Sequence, residues 1–253
     1  MNELQTRIVV GVTLIAIAVG ALWFGGNSFW VLAVAAGIIM IGEWADLMKQ
    51  GENRRLAQFA LCVPLAMMAP IAAGPSFLAL GFVFGAAVFL ILIKRSFRFG
   101  AGALYVGLPI LALLWIRDQD EGLLLAFWAL AVVWVTDIGA YFAGRSIGGP
   151  KIAPAISPNK TWAGLIGGMV AALALGLMLE AYCQLPHVLA LVSPLLAICA
   201  QAGDFFESWL KRKAGLKDSG KLLPGHGGAL DRLDGVVTAV PIAALFIFAE
   251  LAA

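Results

Sequence analysis

The chain alternates long apolar runs with short polar breaks. Nine runs stand out, at about 8–24, 28–46, 56–73, 76–93, 99–116, 122–143, 162–181, 187–205 and 235–252. A helix that crosses a bilayer needs about 20 mostly apolar residues, and the runs approach that length. Three pairs of runs are separated only by Gly25-Gly26-Asn27, Gly74-Pro75 and Gln184-Leu185-Pro186. Gly/Pro punctuation of this kind predicts tight helical hairpins. The first run stays apolar from Ile8 to Phe24 and ends without a small-x-small cleavage site, so it reads as a retained helix and not as a signal peptide. The pattern predicts an all-α, polytopic membrane helix bundle with about nine transmembrane helices.

Composition supports this. Hydrophobic residues make up 62% and charged residues 13% of the 253 positions, against roughly 45–50% and 25% in soluble domains. Mean hydropathy is +0.94. A secreted domain, a disordered chain and a nucleic-acid binder are excluded. The net charge of +2 is uninformative, but its distribution is not. With the N-terminus in the cytoplasm, nine spans place 16 of the 17 basic residues on the cytoplasmic side and only Arg117 opposite. This satisfies the positive-inside rule and would fail if one span were miscounted. The C-terminal Ala253 is then expected outside. Cys62, Cys183 and Cys199 are scattered, with no C-x-x-C and no zinc spacing, so no disulfide framework is expected.

Two cytoplasmic segments, 144–161 and 206–234, concentrate Gly, Pro, Lys and Asp. The simplest organisation has N-terminal membrane helices over 1–121 (spans one to five). A catalytic membrane region follows over 122–253 (spans six to nine), carrying both loops. No internal repeat is evident.

Polar residues in or beside apolar runs need a physical reason. Asp204, Glu207, Ser208 and Lys211 follow an i, i+3, i+4, i+7 spacing, which places them on one helix face. An intramembrane carboxylate is a functional candidate, although a helix end reaching the interface, with Glu207 and Lys211 paired, would look the same. Between Lys217 and Asp234 the chain packs lysines, aspartates, His226 and the glycines Gly220, Gly225, Gly227 and Gly228. Glycines let backbone N–H groups approach a phosphate, and lysines such as Lys217 and Lys221 bring positive charge. Asp231 and Asp234, three apart at the start of a helix, suit an oxygen-liganded Mg²⁺. The competing explanation is a solvated connector with helix-capping aspartates.

Asp137 and Tyr141 share a face at i, i+4 within the sixth run. In Ser157-Pro158-Asn159-Lys160-Thr161-Trp162, either Ser157 or Thr161 could cap the seventh helix. Gly164 and Gly168 form a small-xxx-small pair that helix packing explains fully. Glu43 and Asp46, near the end of the second run, read as interface residues in preference to a second acid site.

The run from Ser208 through Lys211, Arg212, Lys217, Asp218, Gly220, Leu223, Pro224, His226, Gly227, Gly228, Asp231 and Arg232 to Asp234 resembles the signature of the phosphatidate cytidylyltransferase family, also called CDP-diacylglycerol synthases. Asp137 to Arg145 and Ser157 to Gly164 resemble upstream motifs of the same family, so the likeness covers about 125–253. Two positions depart from it. Ala163 stands where the family often has Glu, which removes any acidic role there. Ala229 stands where a larger aliphatic residue is usual, a change of packing more than of chemistry.

The resemblance implies the reaction CTP + phosphatidate → CDP-diacylglycerol + pyrophosphate, dependent on Mg²⁺, with one or two cations. It implies Asp204, Asp231 and Asp234 as metal-site residues. Lys211, Arg212, Lys217, Lys221, His226 and Arg232 are implied as phosphate contacts, with Lys217 and His226 placed in the catalytic set. Ser157, Lys160 and Thr161 are expected to hold nucleotide or lipid phosphate, and Asp137, Tyr141, Ser208, Gly227 and Gly228 to complete the substrate site. The expected partners are CTP, phosphatidate and the lipid bilayer, with no nucleic acid and with a homodimer as an open option. The expected location is a bacterial inner membrane, with the active site facing the cytoplasm. A CTP-dependent polyprenol- or phytol-type lipid kinase and a secondary transporter are the alternatives. The kinase lacks support from the full 208–234 signature, and the transporter from the crowding of polar residues on one face and the missing repeat.

Overall fold

The computed structural model describes residues 3–220 and 227–252, with side chains from Val9 onward. The chain divides into two compact units, Met1–Leu123 with Leu210–Leu233, and Leu124–Trp209 with Asp234–Ala253.

The first unit is built on α1 (Glu3–Phe24), α2 (Gly26–Leu47), a 3-10 turn (Gly51–Asn53), α3 (Arg54–Met67), α4 (Phe77–Lys94) and α5 (Phe97–Arg117). Gly25, at φ 63°, breaks α1 from α2. Ser76 and Ser96 cap α4 and α5, accepting from the backbone N–H of Ala79 and Phe99 at 3.5 and 3.3 Å. Ile41, Leu61, Leu65, Val83, Leu90, Phe99 and Val106 form the buried core of α2 to α5. Trp44 threads its indole N–H to the Arg98 carbonyl at 3.1 Å and rests on the Tyr105 ring. Arg117 donates to the carbonyls of Leu22 and Trp23, the open C-terminal end of α1.

The second unit holds most of α6 (Gly122–Ser146), a β-hairpin of β1 (Lys151–Ala153) and β2 (Ser157–Thr161), α7 (Trp162–Cys183), most of α8 (His187–Ala214) and most of α9 (Leu230–Leu251). The hairpin is antiparallel, pairing Lys151 with Thr161 and Ala153 with Ser157. The Thr161 hydroxyl caps α7 by accepting from Gly164 N–H at 3.0 Å. Where α6 meets α7, small residues let the backbones approach. A Cβ at Gly164 would lie 2.9 Å from the Ala140 carbonyl oxygen, and one at Gly168 2.9 Å from that of Thr136. Trp128 is fully buried and donates to the Ser193 hydroxyl at 3.0 Å. The Thr238 hydroxyl ties α9 to α8 through the Cys199 carbonyl at 2.7 Å.

The protein is therefore an all-α integral membrane bundle carrying one short hairpin among its described residues. Helices α2, α4, α5, α6, α7, α8 and α9 are long and apolar enough to cross a membrane. The run at 56–73 behaves differently from its hydropathy. Helix α3 stops at Met67 and gives way to turns ahead of Pro70 and Pro75. Proline disfavours helical backbone in the residue before it, and a 14-residue helix reaches only about 21 Å at 1.5 Å per residue.

Candidate active site

Two clusters of charged and polar side chains emerge, one in each unit. In the second unit, Lys160 at the end of β2 forms an ion pair with Asp204 of α8 and lies 4.6 Å above the Phe205 ring. The hairpin delivers this lysine, because Thr161 must turn the chain into α7 immediately afterwards. Ser208, one turn beyond Asp204, donates to its carboxylate at 3.2 Å, as the shared helix face requires. Asp137 of α6 accepts from Gln201 of α8 at 3.3 Å. Glu207 is fully buried and its side chain is in hydrogen-bond contact with that of Asp234, which also accepts from Gly235 N–H at 2.7 Å. Two carboxyl groups in contact repel unless a proton or a cation lies between them. Tyr141 is exposed and accepts from Arg145 at 2.7 Å, so it pairs along its own helix. Ser157 opens β2 and is half-buried.

In the first unit, Asp231 organises the segment that precedes α9. Its Oδ1 meets the Lys211 ammonium at 2.6 Å. Its Oδ2 accepts from Ser219 N–H and Gly228 N–H, each at 2.8 Å, and stands 3.0 Å from the Ser219 hydroxyl. A carboxylate offers about four lone-pair sites. Oδ2 is saturated, and among the described residues Oδ1 meets the Lys211 ammonium. Gly227 sits at φ 80°, and a Cβ there would lie 2.7 Å from Asp231 Oδ2, so glycine alone suits the position. Gly228 is buried, whereas Arg212, Lys217 and Arg232 are exposed. Lys221 and His226 lie outside the described residues.

The structure thus gathers Asp137, Lys160, Asp204, Ser208 and Asp234 in one unit, and Lys211, Gly227, Gly228 and Asp231 in the other. It also brings in residues that the sequence reading left out. Ser219 and Gln201 carry no pattern of their own. Glu43, read above as an interface residue, is 1% exposed. It is embedded in Ile41-Gly42-Glu43-Trp44-Ala45, and a carboxylate with apolar neighbours on both sides was the available signal. Among the described residues, no three His, Cys, Asp or Glu side chains form a group that could hold a metal ion. Mg²⁺ does not need such a cage, since it is commonly bound by one or two carboxylates together with waters and substrate phosphates. The oxygen donors Asp204 and Asp234 fit that requirement.

Comparison with known proteins gives this chemistry a context. Residues 5–249 match the cytidylyltransferase family. The phosphatidate cytidylyltransferase of Brucella suis is 44% identical over 99% of this chain and 96% of its own length. That of Pseudomonas aeruginosa is 35% identical over 97% of each chain. That of Bacillus subtilis is 42% identical over 60% of this chain and 61% of its own. The match runs from α1 into α9 and takes in both charged clusters, so the chain belongs to the cytidylyltransferase family.

Proposed function

We propose that this protein is a phosphatidate cytidylyltransferase, joining CTP and phosphatidate to give CDP-diacylglycerol and pyrophosphate. The observation that carries this reading is the 44% identity to the Brucella suis protein of that name over 99% of this chain. An oxygen of the lipid phosphate attacks the α-phosphorus of CTP. A new P–O bond forms, the α–β anhydride bond breaks, and pyrophosphate leaves with the bonding pair. The lipid phosphate is already an anionic nucleophile, so no Ser, Cys or His nucleophile is required. What remains is positioning and charge neutralisation.

Lys160, Lys211, Lys217, Arg212 and Arg232 neutralise phosphate oxygens. Ser157, Thr161 and Ser208 orient substrate through their hydroxyls, and Gly227 and Gly228 leave room for the Asp231 and Glu43 carboxylates, which shapes the segment that meets the phosphates. Asp204 and Asp234 would hold Mg²⁺, and the family signature adds Asp231, between them in sequence, as a third oxygen donor. When bound, Mg²⁺ supplies positive charge to the phosphate oxygens. Before it binds, Lys160 holds the charge of Asp204 in check.

The bilayer is the solvent of this enzyme. The 16-to-1 asymmetry of basic residues supports a cytoplasmic N-terminus, an outward C-terminus and a cytoplasm-facing site, and the bacterial relatives support an inner membrane. The asymmetry also requires α1 and the short α3 to cross, which makes nine spans.

Purified protein given labelled CTP and phosphatidate tests the activity. CDP-diacylglycerol and pyrophosphate should appear mole for mole, and diacylglycerol, which lacks the nucleophile, should not react. Release of CDP with a phosphorylated alcohol would identify a kinase instead.

A further inference from the structure

Glu43 lies near the end of α2 and is almost completely buried. Burying a carboxylate is costly unless its oxygens are hydrogen-bonded, and here both are. Oε1 accepts from Ala229 N–H at 3.0 Å. Oε2 accepts from Leu230 N–H at 2.8 Å and from the Ser219 hydroxyl at 3.2 Å. These donors lie 176 to 187 residues further along the chain, in the same unit.

Leu230 is the first residue of α9. A helix start leaves backbone N–H groups without partners, and the residue just before it usually supplies a side-chain acceptor. That residue is Ala229, which has none. Glu43 does the capping from another helix. The hydroxyl of Ser219 links Glu43 to Asp231, standing within 3.2 Å of one carboxylate and 3.0 Å of the other. It has a single proton to give, so the two carboxylates share it. The fit is close, since a Cβ at Gly228 would lie 2.7 Å from the Glu43 carboxyl group.

We propose that Glu43 is a positioning residue for cytidylyl transfer. It fixes Ser219 and the first turn of α9, and through them sets Asp231 and Lys211 where the substrate phosphates meet them. The proposal rests on the cytidylyltransferase reading above. Its distinguishing feature is that an N-terminal helix, remote in sequence from the signature, controls the chemical step without touching substrate.

The test combines steady-state kinetics with amide hydrogen exchange on the full-length protein in mixed micelles. Glu43→Gln keeps the size of the side chain but replaces one acceptor oxygen with an NH₂ group that faces a donor. It should lower kcat at least tenfold and leave KM for phosphatidate within twofold, and Glu43→Asp should recover part of the loss. Ser219→Ala should act in the same direction, and the double variant should be no worse than the worse single one, because both act through one contact. Exchange at peptides covering 227–233 should be faster in Glu43→Gln than in wild type, without any substrate present. The proposal is overturned if Glu43→Gln has wild-type kinetics. It is equally overturned if the loss simply tracks the folded fraction and adds to that of Ser219→Ala, or if exchange at 227–233 is unchanged. A wild-type protein inactive on CTP and phosphatidate would refute the functional reading, while the exchange measurement would still decide the contact.

Discussion

Lys211 and Asp231 meet at 2.6 Å across twenty positions of sequence, with side chains only 14% and 9% exposed. Removing one partner of a buried pair leaves an uncompensated charge, at a cost of roughly 3–5 kcal/mol. Lys211→Met should therefore lower the melting temperature in detergent. Asp231→Asn should lower it further, because the one amide oxygen can serve either Lys211 or the Ser219 and Gly228 N–H groups, and the NH₂ group then faces donors on the other side. The exchanged pair, Lys211→Asp with Asp231→Lys, should recover little. A lysine at 231 cannot accept from the Ser219 and Gly228 N–H groups. Full recovery in the exchanged pair would show that only the charge pair matters.

The carboxylates of the second unit separate activity from folding. Asp204→Asn and Asp234→Asn replace an anionic oxygen donor with a neutral amide, a poor Mg²⁺ ligand. Each should abolish turnover while the purified protein keeps its helical content and monodisperse elution. Chelation should stop the wild-type enzyme, and added Mg²⁺ should restore it. Near-normal turnover of both variants at low Mg²⁺ would remove these residues from the metal site.

These clusters also mark how far sequence alone reaches. The Asp204–Ser208 contact and the Gly164/Gly168 packing depend on spacings of three or four residues, and local helix geometry makes them visible. For the cap of the seventh helix, the sequence leaves both Ser157 and Thr161 open, and the structure uses Thr161. Glu43 could not be paired with Ala229 and Leu230 in that way, because their meeting depends on how distant helices fold together. The 151–161 hairpin was missed because five polar and Pro-interrupted residues of β2 show no strand alternation. The short α3 was missed because hydropathy counts the apolar residues beyond Met67 without registering the prolines at 70 and 75. The family motifs were legible, but the contacts of motif residues with distant parts of the chain were not.

Helix packing in the second unit gives a prediction independent of catalysis. A Cβ at Gly168 would stand 2.9 Å from the Thr136 carbonyl oxygen and 3.0 Å from its Cγ2, and backbone cannot move aside as a flexible side chain can. Gly168→Val should destabilise the protein by about 1–3 kcal/mol through overpacking. Gly81 has open space around it, so Gly81→Ala should be neutral or slightly stabilising through helix propensity. Thermal unfolding of both variants in one detergent checks the contrast.

Topology is accessible to labelling. Gly220 is a poor reporter, since a Cβ there would collide with Glu43. Lys217 is exposed, so Lys217→Cys in a protein whose Cys62, Cys183 and Cys199 have been replaced should serve. The single thiol should react with a membrane-impermeant maleimide in inside-out vesicles and stay unlabelled in intact spheroplasts. The reverse pattern would invert the proposed orientation.

Lys217 also tests the phosphate-binding role of the segment before α9. Its side chain is exposed, so its loss should leave no cavity, and its contribution, if any, is to a ligand. A charge-assisted contact between an ammonium and a polyphosphate contributes roughly 1.5–3 kcal/mol, which corresponds to a change of about tenfold to a hundredfold in a rate or equilibrium constant. Lys217→Ala should therefore raise KM for CTP or lower kcat by at least tenfold, with KM for phosphatidate and the melting temperature little changed. Lys217→Arg should retain most of the activity, because the charge is kept. The measurement is steady-state kinetics in mixed micelles with CTP and phosphatidate varied separately. If Lys217→Ala stays within twofold of wild type in both parameters, Lys217 is a solvated surface charge, and neutralisation of the triphosphate falls to the better-buried Lys160 and Lys211.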